Sequence, residues 1–166
     1  SIWRYNSDRS AIRCEDLYDL AADQHGSGME LSAAENPDYF QALGQMDLIR
    51  VEDPLCDPRT REFSENYLRP LGISSMLDAS IHVRGEIDGV LCHEHVGPPR
   101  AWKPDEETFA AAAANLVSLA VEEWQRRRAE MALRQSEERY RLLFDHNPVP
   151  VWLYDVETLR FLAVKE

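Results

Sequence analysis

Residues 74–96, SSMLDASIHVRGEIDGVLCHEHV, decide the fold of this chain. They form two runs of strand-favouring residues on either side of Arg84-Gly85-Glu86, and this pattern predicts a β-hairpin. Gly97-Pro98-Pro99 ends the second run. We therefore expect two long antiparallel strands, with the second strand in the interior of a sheet.

The residues before the hairpin predict short strands and helices around that sheet. Asn36 is expected to cap a helix that has Pro37 at its first position and ends at Gly44. Pro70 and Gly72 are expected to stop a second helix. The predicted elements are strands 2–5, 11–20 and 48–53, a surface loop at 23–35, and helices 36–45 and 60–69.

A long helix is predicted to follow the hairpin from Pro104, because residues 105–107 are acidic and suit a helix N-terminus. From residue 122 the sequence becomes highly charged, and ion pairs are expected between residues four apart, Glu122–Arg126, Glu123–Arg127, Glu130–Arg134 and Glu137–Arg141. The apolar positions narrow to a seam with heptad spacing. A long helix with such a narrow apolar seam needs a partner. We expect a homodimer through the helix 104–143. The seam, called here the heptad stripe, consists of Ala129, Leu133, Ser136, Tyr140 and Leu143.

The last residues predict a return to β-structure. After Asn147-Pro148, residues 149–156 and 159–164 form two strand-like runs separated by a turn at Glu157-Thr158. Two strands do not make a stable domain by themselves. We therefore expect a second domain to begin here, and we expect the natural chain to start before Ser1, which lies inside a predicted strand.

Composition excludes several classes of protein. The 166 residues carry a formal net charge of -12, which argues against a nucleic-acid-binding surface. No apolar run is long enough for a membrane helix, and no signal peptide is visible. Three cysteines without a Cys-x-x-Cys pair favour a reducing compartment, so we expect a cytoplasmic module.

The segment 67–124 resembles the C-terminal half of a GAF domain. The resemblance rests on Gly72 before the central strand, Ser75, the turn at Gly85, Gly89 at the start of the next strand, and the acidic start of the closing helix. It implies an α/β (α+β) fold in which helices flank an antiparallel sheet. The sequence departs from the family at Ser80, where GAF domains often have proline, and the family's first helix is missing.

The segment 128–164 resembles a signalling helix followed by the opening strands of a PAS domain. The resemblance implies three parts: a GAF domain at 1–121, a coiled-coil linker at 122–147 and the start of a PAS domain at 148–166. Such arrays lie upstream of histidine kinases or cyclic-di-GMP enzymes in bacteria. The resemblance therefore implies a regulatory module that relays a signal to downstream PAS and output domains and has no chemistry of its own.

The sequence Cys92-His93-Glu94-His95 is a candidate for a metal site, a catalytic site or a ligand pocket. Alternate residues of a strand share a face, so His93 and His95 are able to reach one metal ion, while Cys92 and Glu94 point the other way. A structural zinc site would need further ligands from residues such as His25, Cys56 or His82. Adjacent Cys92 and His93 do not form a catalytic dyad, and no nucleotide-binding or hydrolase motif is present.

The resemblance extends to phytochrome GAF domains, but the pigment-holding positions differ. Counting back from Tyr67, Ser64 falls where that family has its pocket histidine, and Met76, Asp78 and Glu94 replace other polar pocket residues. The cyclic-nucleotide signature of GAF phosphodiesterases is absent as well. A pocket for an unknown small ligand, with no predicted cofactor, and a ligand-free dimerisation spacer both remain open, as does the metal-binding module.

Pockets of this kind lie between the sheet and the elements that cover it. Asp78, His93 and Glu94 are the candidate polar contacts, although the sequence does not tell which row of the hairpin faces the pocket. The candidate lining aromatics are Trp3, Tyr5, Tyr18, Tyr39 and Phe40.

Overall fold

The computed structural model describes residues 1–145 and 151–165. The strands are β1 (Ile2–Tyr5), β2 (Ala11–Asp19), β3 (Gln24–Gly26), β4 (Glu30–Ser32), β5 (Leu48–Val51), β6 (Ile73–Val83), β7 (Glu86–Val96), β8 (Val151–Tyr154) and β9 (Phe161–Lys165). The α-helices are α1 (Pro37–Gln45), α2 (Arg69–Leu71) and α3 (Pro104–Asp145). The chain divides into two units, Ser1–Glu122 and Glu123–Glu166.

The hairpin is formed by β6 and β7, as predicted, and it lies at the centre of the larger sheet. The strand order is β3-β2-β1-β7-β6-β5, so β7 is paired on both sides. Arg84 and Gly85 both have positive φ, 55° and 82°, which is the backbone of a type I′ hairpin turn. Gly89 lets β1 approach β7, because a Cβ at this position would lie 2.0 Å from the carbonyl oxygen of Trp3.

The region predicted as a loop at 23–35 contains two short strands, so that prediction was wrong in part. Both β3 and β4 pair with the outer edge of β2, β4 alongside residues 11–13 and β3 alongside residues 17–19. Three-residue strands carry no readable alternation of polar and apolar residues. They form because the long strand β2 offers an unpaired edge, which is a tertiary property.

Helix α1 begins at Pro37, as expected, but its N-terminal cap comes from elsewhere in the chain. The Asn36 side chain makes no capping bond and instead donates to the carbonyl of Ser32 at 2.8 Å. The carboxylate of Glu62 accepts a hydrogen bond from the backbone N–H of Asp38 at 2.9 Å. The helix ends at Gln45, one residue beyond the predicted stop at Gly44.

The second predicted helix is an irregular helical segment, residues 61–71. It consists of a 3₁₀ turn (Arg61–Phe63), a π-helical turn (Ser64–Leu68) and the single turn α2. Pro70 lies within α2 instead of stopping the helix before it. Gly72, with φ of 67°, ends the segment in the left-handed conformation, as its sequence position suggested.

The first part of α3 packs on one face of the sheet through small residues. Ala110 and Ala114 are buried in one cluster with Leu77, Ala79 and Ile81 of β6. Small side chains let the helix backbone approach the strands closely.

Two polar contacts fix this helix further. The hydroxyl of Ser118 accepts a hydrogen bond from the N–H of His82 at 3.1 Å, and Arg50 pairs with Glu107 at 2.7 Å.

The second unit contains the remainder of α3 and a two-stranded antiparallel sheet, β8–β9. The predicted Glu123–Arg127 pair is present at 2.6 Å, whereas Arg134 pairs with Glu138 instead of Glu130. Glu122, predicted to pair with Arg126, accepts a hydrogen bond from the N–H of Arg84 in the hairpin turn. The predicted break at Asn147-Pro148 lies outside the described residues.

Candidate functional site

The hairpin presents two different rows of side chains to the two faces of the sheet. In the β6–β7 register Met76 pairs with Glu94 and Asp78 with Cys92, so these four side chains share one face. Leu77 pairs with His93, and this pair belongs to the other face. Asp78 and Glu94 therefore lie together, as the sequence allowed, and His93 lies apart from them.

The face that carries Asp78 and Glu94 is covered by α1 and the irregular helical segment. Between the sheet and this cover lies a small cavity of about 20 Å³. That volume holds about one water-sized group. The side chains that line it are Trp3, Ile12, Leu31, Tyr39, Phe63, Tyr67, Met76, Cys92 and Glu94.

The carboxyl group of Asp78 is buried on the same face and does not line the cavity, although its hydrogen-bond partner Tyr39 and its cross-strand partner Cys92 do. Asp78 is 1% exposed, and its Oδ2 accepts a hydrogen bond from the Tyr39 hydroxyl at 2.8 Å. Its Oδ1 has no hydrogen-bond partner among the described residues. Burial, followed by the negative charge of Glu94, raises the pKa of Asp78 to about 7.

Glu94 is held by a second tyrosine. The Tyr67 hydroxyl donates to Oε1 of Glu94 at 2.5 Å, and the Ser1 hydroxyl donates to Oε2 at 3.2 Å. Burial and the nearby carboxylate raise the pKa of the Tyr67 phenol well above its ordinary value. Tyr67 therefore remains a neutral donor, and each of the two carboxyl groups has its own tyrosine.

Cys92 lies opposite Asp78 and lines the same cavity. Burial, followed by the charge of Asp78, raises the pKa of its thiol well above the ordinary value. A nucleophilic or metal-binding cysteine requires the thiolate, which this environment disfavours. Cys92 is therefore a neutral, weakly polar part of the cavity wall.

Of the five candidate aromatics, Trp3 and Tyr39 line the cavity, and Tyr5, Tyr18 and Phe40 do not. Phe63 and Tyr67 were missed as site residues. Their spacing of four residues on a helical segment is the signal that places both on one face. Nothing in the sequence showed that this face meets the sheet.

His93 lies on the opposite face, where it packs against α3. Its ring is 6.1 Å from that of Phe109, and its Nδ1 lies 3.2 Å from the carbonyl oxygen of Leu77. Burial lowers the pKa of His93, so it is neutral at pH 7. An open groove beside it is lined by Leu77, His93, Trp102, Asp105, Glu106 and Phe109.

The metal-binding alternative needed further ligands beside His93 and His95. Within residues 1–145 and 151–165, no three His, Cys, Asp or Glu side chains are arranged to hold one ion. Cys92 and Glu94 project to the opposite face, as expected from strand alternation. The described residues give the two histidines no third ligand.

Ser64, at the position of the phytochrome histidine, is buried in the π-helical turn, and its hydroxyl has no partner among the described groups. It does not line the cavity. Over the described residues, no helix has both the length and the apolar character needed to cross a membrane.

Comparisons with known proteins agree with this architecture. A two-component sensor histidine kinase GAF domain from Bacillus halodurans aligns with a TM-score of 0.58 at 18% identity, covering 75% of this chain and 81% of that one. A domain of a sensor histidine kinase protein from Sinorhizobium meliloti 1021 gives 0.56 at 18% identity over 81% and 83%. The phycocyanobilin-bound GAF domain of a cyanobacterial phytochrome gives 0.53 at 16% identity over 74% and 73%. At these identities the likeness establishes the fold.

A search of curated protein sequences finds no match. The family profile of the GAF domain matches residues 2–121, which include the complete seven-stranded sheet and the part of α3 that packs on it. The chain therefore belongs to the GAF domain family.

Proposed function

We propose that this chain is the sensory part of a bacterial signal-transduction protein. GAF domains are regulatory modules without catalytic activity of their own. In this proposal a small ligand or a partner acts on the cavity face of the sheet, and α3 passes the change to downstream PAS and output domains. The proposed output is a histidine kinase or a cyclic-di-GMP enzyme, and the kinase is supported by sensor histidine kinases that contain a domain of this fold.

The observation that carries the proposal is that β6 and β7 contact the cavity on one face of the sheet and α3 on the other face. Asp78 and Cys92 lie on the cavity face of the sheet, while their neighbours Leu77 and Ala79 belong to the cluster that contains Ala110 and Ala114 of α3, and Leu91 packs against that cluster. A shift of either strand therefore moves both faces. Close-packed layers respond by choosing another packing instead of deforming continuously, which suits a two-state relay.

The dimeric part of the proposal rests on exposed apolar side chains of α3. Leu133, Tyr140 and Leu143 of the heptad stripe are 62%, 47% and 68% exposed in the single chain. Apolar residues at this spacing are buried when two such helices pair. A second copy of the chain supplies the matching seam, so a parallel homodimer is the simplest partner.

A ligand-free dimerisation spacer is the alternative function, and the small cavity supports it. A volume of about 20 Å³ accepts a water-sized group. A tetrapyrrole would require the cover over the sheet to move substantially. For this reason we do not extend the proposal to bilin binding, although a phycocyanobilin-bound neighbour has the same fold.

Native mass spectrometry of the purified chain tests both functions. The sensory proposal expects a dimer that carries additional mass, or that gains it from a cell extract of small molecules. It also expects that occupancy changes hydrogen exchange in residues 104–122. A dimer that never gains mass, and whose Asp78→Leu variant folds and leaves output activity of the full-length protein unchanged, would support the spacer.

The dimer interface is tested with a matched pair of variants. Leu133→Lys places a charge in the heptad stripe and should produce monomers in sedimentation analysis. Met131→Lys places the same charge at an exposed position outside the stripe and should leave the dimer intact. Equal behaviour of the two variants would argue against dimerisation through the stripe.

A further inference from the structure

Both tyrosines that line the cavity already donate their hydroxyl protons in hydrogen bonds to carboxyl groups. Tyr39 donates to Asp78 and Tyr67 donates to Glu94. The indole N–H of Trp3 is committed as well, because it donates to the Ser1 hydroxyl at 2.8 Å. Apart from the weak thiol donor of Cys92, the polar side chains that line the cavity have only acceptor capacity left.

The acceptor capacity is concentrated on the carboxyl group of Glu94, which lines the cavity. The carboxyl group of Asp78 adds a second acceptor next to the wall, bonded to Tyr39 and opposite Cys92, and its buried Oδ1 has no hydrogen bond from an O–H or N–H donor. Each carboxylate oxygen of Glu94 accepts one bond and retains a lone pair. In the described part of the chain, no lysine, arginine or histidine side chain lines the cavity. The Ser1 amino group donates to the Cys92 carbonyl and also does not line it.

The remaining wall is aromatic. Edge-to-face contacts join Trp3 to Tyr67 at 5.6 Å, Tyr67 to Phe63 at 6.1 Å, and Phe63 to Tyr39 at 5.1 Å. Aromatic rings attract a desolvated cation through their π faces, and several rings around one cation form a cage. The wall therefore favours the same charge as the carboxylates do.

We propose that this cavity binds a compact ammonium group, either the ammonium ion itself or the head of a small primary amine. An ammonium group supplies the N–H donors that the acceptor-rich site lacks, neutralises part of its negative charge and matches the water-sized cavity. This inference rests on the proposed sensory function and names the chemical class of its ligand. A larger amine needs the wall formed by Phe63 and Tyr67 to open.

The test is a titration of the purified chain with ammonium chloride and methylammonium chloride at pH 8, above the pKa of Asp78. Potassium chloride at equal ionic strength controls for salt and for metal ions of similar size. Tetramethylammonium chloride has the charge without N–H donors. The readouts are the thermal unfolding midpoint and the NMR signal of the Trp3 indole N–H.

We expect ammonium and methylammonium to raise the midpoint in a saturable way and to shift the Trp3 signal, and neither control salt to do so. Glu94→Gln and Asp78→Asn each remove one charge from a charge-assisted hydrogen bond and should weaken binding roughly tenfold or more. Glu86→Gln, at an exposed position of the same strand, should bind as the wild type does. Asp78→Asn alone decides the matter if Glu94→Gln does not fold.

Equal effects of potassium or tetramethylammonium, or unchanged binding by folded Asp78→Asn, would overturn the ammonium assignment. If ammonium fails and native mass spectrometry detects another bound molecule, the sensory function stands and the ligand class is wrong. If ammonium binds and hydrogen exchange in residues 104–122 does not change, the ligand class stands and the relay is wrong.

Discussion

The hydroxyl of Tyr39 donates a hydrogen bond to the buried carboxyl group of Asp78 at a distance of 2.8 Å. This bond joins α1 to the central hairpin across the cavity face. Both side chains are almost completely buried. Without the Tyr39 hydroxyl, the buried carboxyl group of Asp78 has no hydrogen bond from an O–H or N–H donor.

Tyr39→Phe should therefore lower the free energy of unfolding by about 1–3 kcal/mol, the cost of a buried polar group left unpaired. It should also raise the pKa of Asp78 further, because the Tyr39 hydrogen bond now lowers it. Chemical denaturation and carbon NMR of the Asp78 carboxyl group measure the two effects. Tyr18→Phe is the matched control, since its hydroxyl donates to Asp23 at the surface. Equal stability of the two variants would show that the buried bond has no special weight.

Asp78 should make stability depend on pH. Its pKa is raised from 3.8 to about 7, so the folded protein binds a proton that the unfolded chain releases in that range. Stability from this group is fully present below pH 4 and is lost as the pH rises through 7, by about 4 kcal/mol at most. The titratable and charged groups that act on it are Tyr39, Tyr67, Cys92, Glu94 and the Ser1 amino group, whose positive charge lowers the pKa of Asp78. Both tyrosines and the thiol remain neutral throughout.

Asp78→Asn isolates this contribution. The amide cannot ionise, so the variant should gain stability relative to the wild type at pH 8 and lose most of that advantage at pH 5. Urea denaturation at both pH values measures the difference. A constant difference between the two pH values would mean that Asp78 is ionised in the folded protein even at pH 5.

Gly89→Ala should disrupt the sheet. A Cβ here would lie 2.0 Å from the carbonyl oxygen of Trp3, and main-chain atoms of the paired strand β1 cannot move aside cheaply. We expect a loss of stability of more than about 3 kcal/mol, as for other disruptions of a packed interior. Gly44→Ala is the opposite case, because nothing lies within 4 Å and the residue is helical, so a gain of up to about 1 kcal/mol is expected. Thermal unfolding of both variants checks the contrast.

Ala110→Leu should separate α3 from the sheet. Ala110 is fully buried in the cluster of Leu77, Ala79 and Ile81, and a larger side chain overpacks it at a cost of about 1–3 kcal/mol. Ala111→Leu, on the exposed side of the helix, should change stability by no more than about 0.5 kcal/mol. In the full-length protein, Ala110→Leu should also alter the output if the relay passes through this contact. An unchanged output in a folded variant would argue against that route.

The local elements of this protein follow from short-range signals in the sequence. The hairpin could be predicted because Arg84-Gly85 supplies the two positive φ angles of its turn between strand-favouring runs. The start of α3 could be predicted because Pro104 and three acidic residues suit a helix N-terminus. Strand alternation also placed Cys92 and Glu94 together on one face, away from His93.

The candidate site depended on contacts between distant parts of the chain. Asp78, His93 and Glu94 were the polar candidates of the hairpin, but the sequence did not show which row of side chains faces the pocket. Tyr39 and Tyr67 became partners of these carboxyl groups only when α1 and the irregular helical segment packed on that face. The capping of α1 by Glu62 and the pairing of β3 and β4 with β2 have the same origin.

The sequence by itself determined the hairpin, the long helix and which side chains of a strand share one face of the sheet. Turn geometry, capping and side-chain alternation act over a few residues. The tertiary structure alone decided which face encloses the cavity, which carboxyl group is buried and which hydroxyls donate hydrogen bonds to the carboxyl groups. Burial and pairing depend on the other side of an interface, and that information lies tens of residues away along the chain.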